Sequence, residues 1–330
     1  MKDRRKALTA AALALPVVLT AVSLCVGVYH ITPGGLWKAL TGGASAGDLG
    51  TRMVILNVRL PRTILALLSG AALAVSGAAL QGLFRNPLVF EFSLGISYGA
   101  AFGAALSLIV IGRAFPPQAA AFVFAILAVL LVMAIAGRSA APPVTILLAG
   151  IITSALFQAL LSLVEFFSNP YALQSLVFWL MGSLGRAGWE DLAVSLPLVA
   201  AGTVVLMLMR WRVNVLSLRL DEARSLGIRV NRDRVMIIAA ATLATAAATA
   251  VTGVINWVGL VVPHLVRLAV GPDNRKVIPL SALFGASMLL AADTLIRAAS
   301  PFDFPIGILT SLVGIPFFIG LLRRSGRIWQ

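Results

Sequence analysis

The stretch RWRVNVLSLRLDEARSLGIRVNRDR, Arg210 to Arg234, is the longest polar interruption in a chain that is otherwise nearly all apolar. It holds seven arginines, at 210, 212, 219, 224, 229, 232 and 234, against Asp221, Glu222 and Asp233. Such a segment cannot lie in hydrocarbon, and basic loops beside spanning helices stay in the cytoplasm. Within it, Leu218 to Leu226 reads as a short helix, with Asp221 and Glu222 early, Arg224 late and Gly227 as a stop. A helix ringed by charge and presented to the cytosol fits a docking element. On composition alone an ordinary solvated loop fits equally well.

On either side of this stretch the chain is that of a polytopic membrane protein. Of its 330 residues 60% are hydrophobic and only 12% charged, where a soluble protein would carry about 25% charged residues. The mean hydropathy is +0.99. The net charge of +14 sits in short loops between apolar runs and forms no surface of its own, which excludes a nucleic-acid partner. Cys25 is the only cysteine, so neither an intrachain disulfide nor a thiolate cluster can form. With His30 and His264 the only histidines, a histidine-rich metal site is poorly supplied.

Crossing a bilayer takes about twenty apolar residues. Ten spans follow: about 7–28, which we read as an uncleaved first span, then 63–84, 92–111, 118–136, 144–167, 192–209, 235–252, 258–270, 277–297 and 305–322. The eighth is short and contains Pro263, His264 and Arg267, which predicts a helix buried among others. Tyr171 to Leu184, bounded by Pro170 and Gly185, is expected to form a shallow helix pair on the outer side. An even count puts both termini on one side. With the first in the cytoplasm, the inner segments collect 19 of the 26 Lys and Arg, Arg138 and Arg327 among them. Arg59, Arg62 and Arg297 then stand out as arginines at the outer ends of spans.

The glycines and alanines of GAALAVSGAALQG (70–82) and GASMLLAAD (285–293) are packing residues, since small side chains let helices approach closely in lipid. None of the four lysines follows a phosphate-binding glycine loop, so any ATP that drives transport is hydrolysed elsewhere. Asp293 and Arg297, four apart, lie on one helical face and can pair. Asn86 and Pro87 cap and turn the chain after Arg85. Glu165 stands at the outer end of a span, where interfacial exposure and a part in cargo exit account for it equally.

The chain resembles the BtuC/FecCD family of permease subunits of ABC importers for vitamin B12, haem and ferric siderophores. The resemblance rests on VRLPR (58–62), SGAALQGLFRNPL (76–88), LGISYGA (94–100), FWLMGSL (178–184), DEARSLG (221–227) and GVINWVGLVVPHLVRLAVGPDNR (253–275). It continues in GASMLLAADTLIR (285–297) and FPIGILTSLVGIPFFIGLL (304–322). These motifs run in order over nearly the whole chain.

The resemblance implies an all-α fold, BtuC-like (type II ABC importer), with ten transmembrane helices in a single permease domain spanning residues 1–330. It implies a second copy of the permease, two cytoplasmic ATPase subunits that bind ATP and Mg, and a periplasmic or lipid-anchored substrate-binding protein. The subunit itself binds no cofactor or metal and is no enzyme; it sits as a multi-pass protein in the cytoplasmic membrane, both termini cytoplasmic. The coupling segment is implied at Ser217, Leu218, Arg219, Leu220, Asp221, Glu222, Ala223, Arg224, Ser225, Leu226 and Gly227, within the cytoplasmic loop 210–234. Docking of the binding protein is implied at Arg59, Arg62 and Arg297, where a rigid guanidinium fork suits a carboxylate partner; lipid headgroup contact is the alternative.

The chain departs from the family pattern at Val89 to Phe92, at Asn256 and Trp257, and at Phe302 to Phe304, and these leave the cargo open among ferric siderophore, haem, vitamin B12 and other metal or oxyanion loads. Two readings of other classes have less support in the residues. A secondary transporter needs ionisable groups within its spans, where only Asp293 and His264 serve, and a membrane enzyme needs a nucleophile with a base, or a metal cluster.

Overall fold

The computed structural model describes residues 2–41, 49–137, 142–218, 220–300 and 302–325. Its regular elements are all helical. In chain order they are α1 (Lys2–Cys25), α2 (Pro33–Thr41), α3 (Leu49–Met53), α4 (Leu60–Phe84), α5 (Ile96–Ala105), α6 (Pro117–Ala136) and α7 (Pro143–Phe166), followed by α8 (Pro170–Leu180), α9 (Trp189–Leu216), α10 (Leu220–Ser225), α11 (Val230–Thr252), α12 (Val258–Val270), α13 (Asn274–Ala299) and α14 (Ile306–Ser325).

Among the described residues six helical runs are long and apolar enough to cross a membrane, and four shorter apolar helices lie at 10–25, 96–111, 258–270 and 306–320. Together they fall one for one on the ten spans expected from hydropathy. The second run begins earlier than expected, at Leu49, because α3 continues through a π-helical segment, Val54–Arg59, into α4. Pro61, which has no N–H to lose, stands in the first turn of α4.

The bundle is built around α4. Residues 72–84 are all buried, and α4 packs against α13, α9, α11 and α12. Small residues make this possible. A Cβ on Gly77 would stand 1.8 Å from the Gly259 carbonyl oxygen, and one on Gly285 would stand 2.3 Å from that of Gly70. The helices therefore touch backbone to backbone, which dispersion rewards even where lipid removes the hydrophobic drive. By contrast α6, α7 and α9 bury only a third of their apolar windows and form the periphery. On α11 three threonines are satisfied within the helix: Thr242, Thr245 and Thr252 donate to the carbonyls of Ile238, Ala241 and Ala248 at 2.7, 2.6 and 3.0 Å.

The eighth span matches expectation, since most of α12 is buried. The outer segment departs from it. In place of a helix pair there is one helix, α8, capped by Asn169, whose Oδ1 accepts from the Ala172 N–H at 2.9 Å. After it Gly182 turns left-handed at φ +69°, 2.6 Å separating its would-be Cβ from the Val254 carbonyl oxygen. The chain beyond is held by backbone bonds from Ser183 to Thr252 and from Ile306 and Gly307 back to Gly182 and Met181. Those bonds use the groups a second helix would need.

Candidate functional site

Two polar clusters stand at opposite ends of the bundle. At one end, the π-helical segment leading into α4, the start of α4 and the end of α13 bring Arg59, Arg62 and Arg297 around one cavity of about 330 Å³ with Arg186 and Asp303. Their partners lie within the chain. Asp293, 1% exposed, takes Arg62 Nε on Oδ1 at 2.8 Å and Arg297 Nε on Oδ2 at 2.9 Å. The second of these is the i,i+4 pair expected on α13. Arg62 also reaches Asp303 at 3.1 Å, and Asp303 accepts from Ser183 Oγ at 2.5 Å.

Arg297 spreads its remaining donors over α1, to the Ser23 carbonyl at 3.1 Å, the Val26 carbonyl at 3.1 Å and Ser23 Oγ at 2.6 Å. Arg59 is buried and donates to the carbonyls of Leu24, at 2.6 Å, and Tyr29. These carbonyls close the C-terminal turn of α1, where a cation is favoured. The arginines thus pin α1 to α4 and α13. Arg186, on the same cavity, is exposed. The charge bias across the spans singles out the arginines, but nothing in the sequence joins Asp293 and Asp303 to them as one ion cluster.

At the other end the polar loop 210–234, here called the elbow, is lashed to α4. The chain leaves α4 at Arg85, which takes a left-handed conformation (φ +52°), and Asn86 Oδ1 accepts from the Leu88 N–H at 2.9 Å, the expected turn. Arg85 then reaches the carbonyls of Leu216, at 3.2 Å, and Leu218. Ser217 Oγ donates to the Gly82 carbonyl at 2.9 Å. The segment expected to couple contains α10, six residues long, in which Ala223 is buried and Glu222 and Ser225 are exposed, as is Leu226 just after it. Gly227 follows at φ +76°, a stop in the expected place. Arg219 lies outside the described residues, and Leu220, Asp221 and Arg224 are placed by backbone alone.

Behind the elbow, Asn214 ties α9 to α13: it donates to Asp273 Oδ1 at 2.7 Å and accepts from the Asn274 N–H at 2.8 Å. Arg275 donates to the Asp273 carboxylate from Nε at 3.1 Å. With Arg275 first and Asn214 behind it, that carboxyl is held down from its ordinary 3.8 to about 2. Arg267 bridges α12 to α4 and α13 through the Ala78 carbonyl at 2.9 Å and Asn274 Oδ1 at 3.3 Å. His264 stands edge-on to Phe318 with ring centroids 6.4 Å apart.

In the divergent Val89 to Phe92 segment, Glu91 is 1% exposed and neither carboxylate oxygen has a hydrogen-bond partner in another residue. A Cβ on Gly259 would meet its Oε2 at 2.4 Å. Glu165, at the outer end of α7, is half-buried.

Ten apolar helices among the described residues, with the charged side chains gathered mainly in two clusters, make a multi-pass membrane protein. Residues 15–324 match the FecCD transport family, and the chain belongs to it. It is 41% identical over 323 residues to the cobalamin import system permease protein BtuC of Halobacterium salinarum, covering 94% of this chain and 86% of the relative. It is 38% identical over 321 residues to the hemin transport system permease protein HmuU of Yersinia pestis, covering 95% and 94%. Among solved structures, a metal-chelate type ABC transporter in an inward-facing conformation superposes with a TM-score of 0.87 at 34% identity, covering 97% of this chain and 99% of that one. The fold is thus BtuC-like, and the chain is an ABC-transporter permease.

Proposed function

We propose that this chain is the membrane-spanning half of an ATP-driven importer that moves a ferric chelate, siderophore or haem, across the cytoplasmic membrane by alternating access. The observation that carries the reading is the elbow: a short charged helix stopped by Gly227 and lashed through Ser217 and Arg85 to the end of α4, around which the other spans pack. A push on such an elbow is delivered to the centre of the bundle. Two ATPase subunits, holding ATP and Mg, seat the coupling segment Ser217 to Gly227; a second copy of the permease completes the pathway. A substrate-binding protein delivers cargo at the outer mouth, where Arg59, Arg62 and Arg297 gather. Both termini then face the cytoplasm with the elbow.

Cargo needs no tight site in this subunit, because differential contacts between the two access states, not affinity, move the equilibrium. The cobalamin permease among the relatives supports vitamin B12 as the second reading. The test is uptake into liposomes carrying the permease with its neighbouring ATPase and binding protein, offered labelled ferric siderophore, haem and cobalamin in turn. The expected result is accumulation of one iron chelate that stops when the ATPase is omitted. Full-rate uptake without the ATPase would overturn the importer reading in favour of a secondary transporter, and accumulation of cobalamin alone would replace the cargo.

A further inference from the structure

Beside the proposed coupling segment, and sharing Leu226 and Gly227 with it, lies a polar pocket of about 230 Å³ whose arginines the transport cycle described above does not use. Trp211 and Arg212 of α9 form one wall; Arg229 and the first turn of α11, with Arg232 and Asp233, form the other. Asp233 is its only carboxylate, and that is spent on Arg212 at 2.6 Å. Arg229 and Arg232 are exposed, and their guanidiniums have no ion-pair or hydrogen-bond partner among the described residues. The pocket therefore offers two unspent guanidiniums to an anion, beside a tryptophan of the type enriched at the membrane-water interface.

A separate apolar groove of about 350 Å³ lies between α6 and α11, walled by Leu130 and Met133 on one side and Val235, Ala239 and Leu243 on the other. Arg232, Val235, Ala239 and Leu243 follow the i, i+3, i+7, i+11 spacing, so the arginine heads the same helical stripe that floors the groove. One turn of helix, about 5 Å, separates the charged end from the apolar one. Leu130 and Val235 are 57% and 50% exposed, so the groove is open along its length. A second apolar groove, about 480 Å³ between α1, α12 and α13, has no charged residue in its lining. The pairing of cationic head and apolar trough belongs to the α6/α11 seam.

We infer that this seam binds an anionic phospholipid of the cytoplasmic leaflet, its phosphodiester held by Arg229 and Arg232 and one acyl chain lying in the groove between α6 and α11. Guanidinium forks suit phosphate oxygens, and each arginine near an anionic leaflet adds a comparable increment of attraction. A soluble anion would fill the pocket and leave the groove open; a neutral lipid would fill the groove and leave two charges unmet. Only a ligand with both parts meets the whole surface. The inference is independent of which cargo the permease carries.

The test is native mass spectrometry of the full chain purified from membranes, with phosphatidylglycerol and phosphatidylcholine added in competition. The wild type is expected to retain phosphatidylglycerol in preference, and the double variant Arg229→Gln, Arg232→Gln to lose that preference by on the order of tenfold or more. Ala239→Trp, which fills the groove and leaves the arginines, should lower retention as well, whereas Arg186→Gln at the outer mouth should leave it unchanged. Should the double variant not fold, a photoreactive phosphatidylglycerol on the wild type decides instead, with its adduct expected on residues 130–133 or 235–243. Equal retention of the two lipids by the wild type, unaltered preference in either seam variant, or adducts only elsewhere would overturn the inference. So would shielding of Arg229 and Arg232 by the ATPase alone with no lipid retained.

Discussion

Asp293 shows how a membrane protein can keep charges at a span end without spending stability on them. One buried carboxylate takes Arg62 on one oxygen and Arg297 on the other, at 2.8 and 2.9 Å. Removing the carboxylate leaves two guanidiniums facing each other, and losing one member of a buried pair costs about 3–5 kcal/mol. Asp293→Asn is therefore expected to lower the unfolding temperature of the purified permease sharply, whereas Asp293→Glu should recover part of it. An unchanged melting curve in the asparagine variant would show that the pairs are not formed in the membrane.

Asp273, outside the spans, supports a different kind of test. Its pKa is depressed in the folded chain, from 3.8 to about 2. A group depressed in this way adds stability above its unfolded pKa, and that contribution is lost as the pH falls through the folded value. Hence the gap in melting temperature between wild type and Asp273→Asn should stay constant from pH 8 to pH 5, and begin to close only below about pH 4. A gap that closed near neutrality would place the control elsewhere.

At the scale of elements, the contact of α4 with α12 and α13 decides the bundle. Gly77 leaves no room for a side chain, its would-be Cβ 1.8 Å from the Gly259 carbonyl oxygen. Gly77→Val should therefore cost about 3 kcal/mol, the upper end of the usual overpacking penalty, while Gly34→Ala, which meets nothing within 4 Å, should be neutral in the same thermal assay. Such contacts explain what could be read beforehand. Hydropathy located all ten spans, because lipid demands a continuous apolar run, and charge isolated the elbow. Spacing on one helix suggested the Asp293 and Arg297 pair.

The residues that join distant elements were out of reach, because no periodicity links Arg62 to Asp293 across 231 positions or Arg85 to the carbonyls after α9. The expected outer helix pair failed for the same reason: Gly182 is turned by its contact with Val254, which lies far along the chain. The Arg85 link can be tested in the assembled transporter. Arg85→Ala removes one of the two ties between elbow and α4, leaving that of Ser217, and is expected to weaken their coupling by about 1–2 kcal/mol, roughly tenfold in uptake, with ATP hydrolysis by the partner subunit little changed. A parallel fall in hydrolysis and uptake would mean that the variant disturbs ATPase docking and not transmission.

For the whole molecule, the arrangement of Arg59, Arg62 and Arg297 changes how the proposed docking of a binding protein would work. Arg59 is 5% exposed and held by two backbone carbonyls, so reversing its charge would unseat α1 before it reported on any partner. Arg62 is different. One of its two carboxylate contacts, Asp303, is 43% exposed on the side chain and stands where an acidic residue of a binding protein would arrive. Asp303 then competes with the partner for the same guanidinium, and complementary charge at such a contact acts mainly through the rate of association. Asp303→Asn is expected to tighten the complex with the cognate binding protein several-fold, Arg62→Gln to weaken it, and the two together to resemble Arg62→Gln alone. Surface plasmon resonance at low and high salt reads all three, and the gain in the asparagine variant should shrink as salt screens the pair. Were Asp303→Asn to weaken docking instead, the aspartate would be a contact in its own right and Arg62 a strut of the fold.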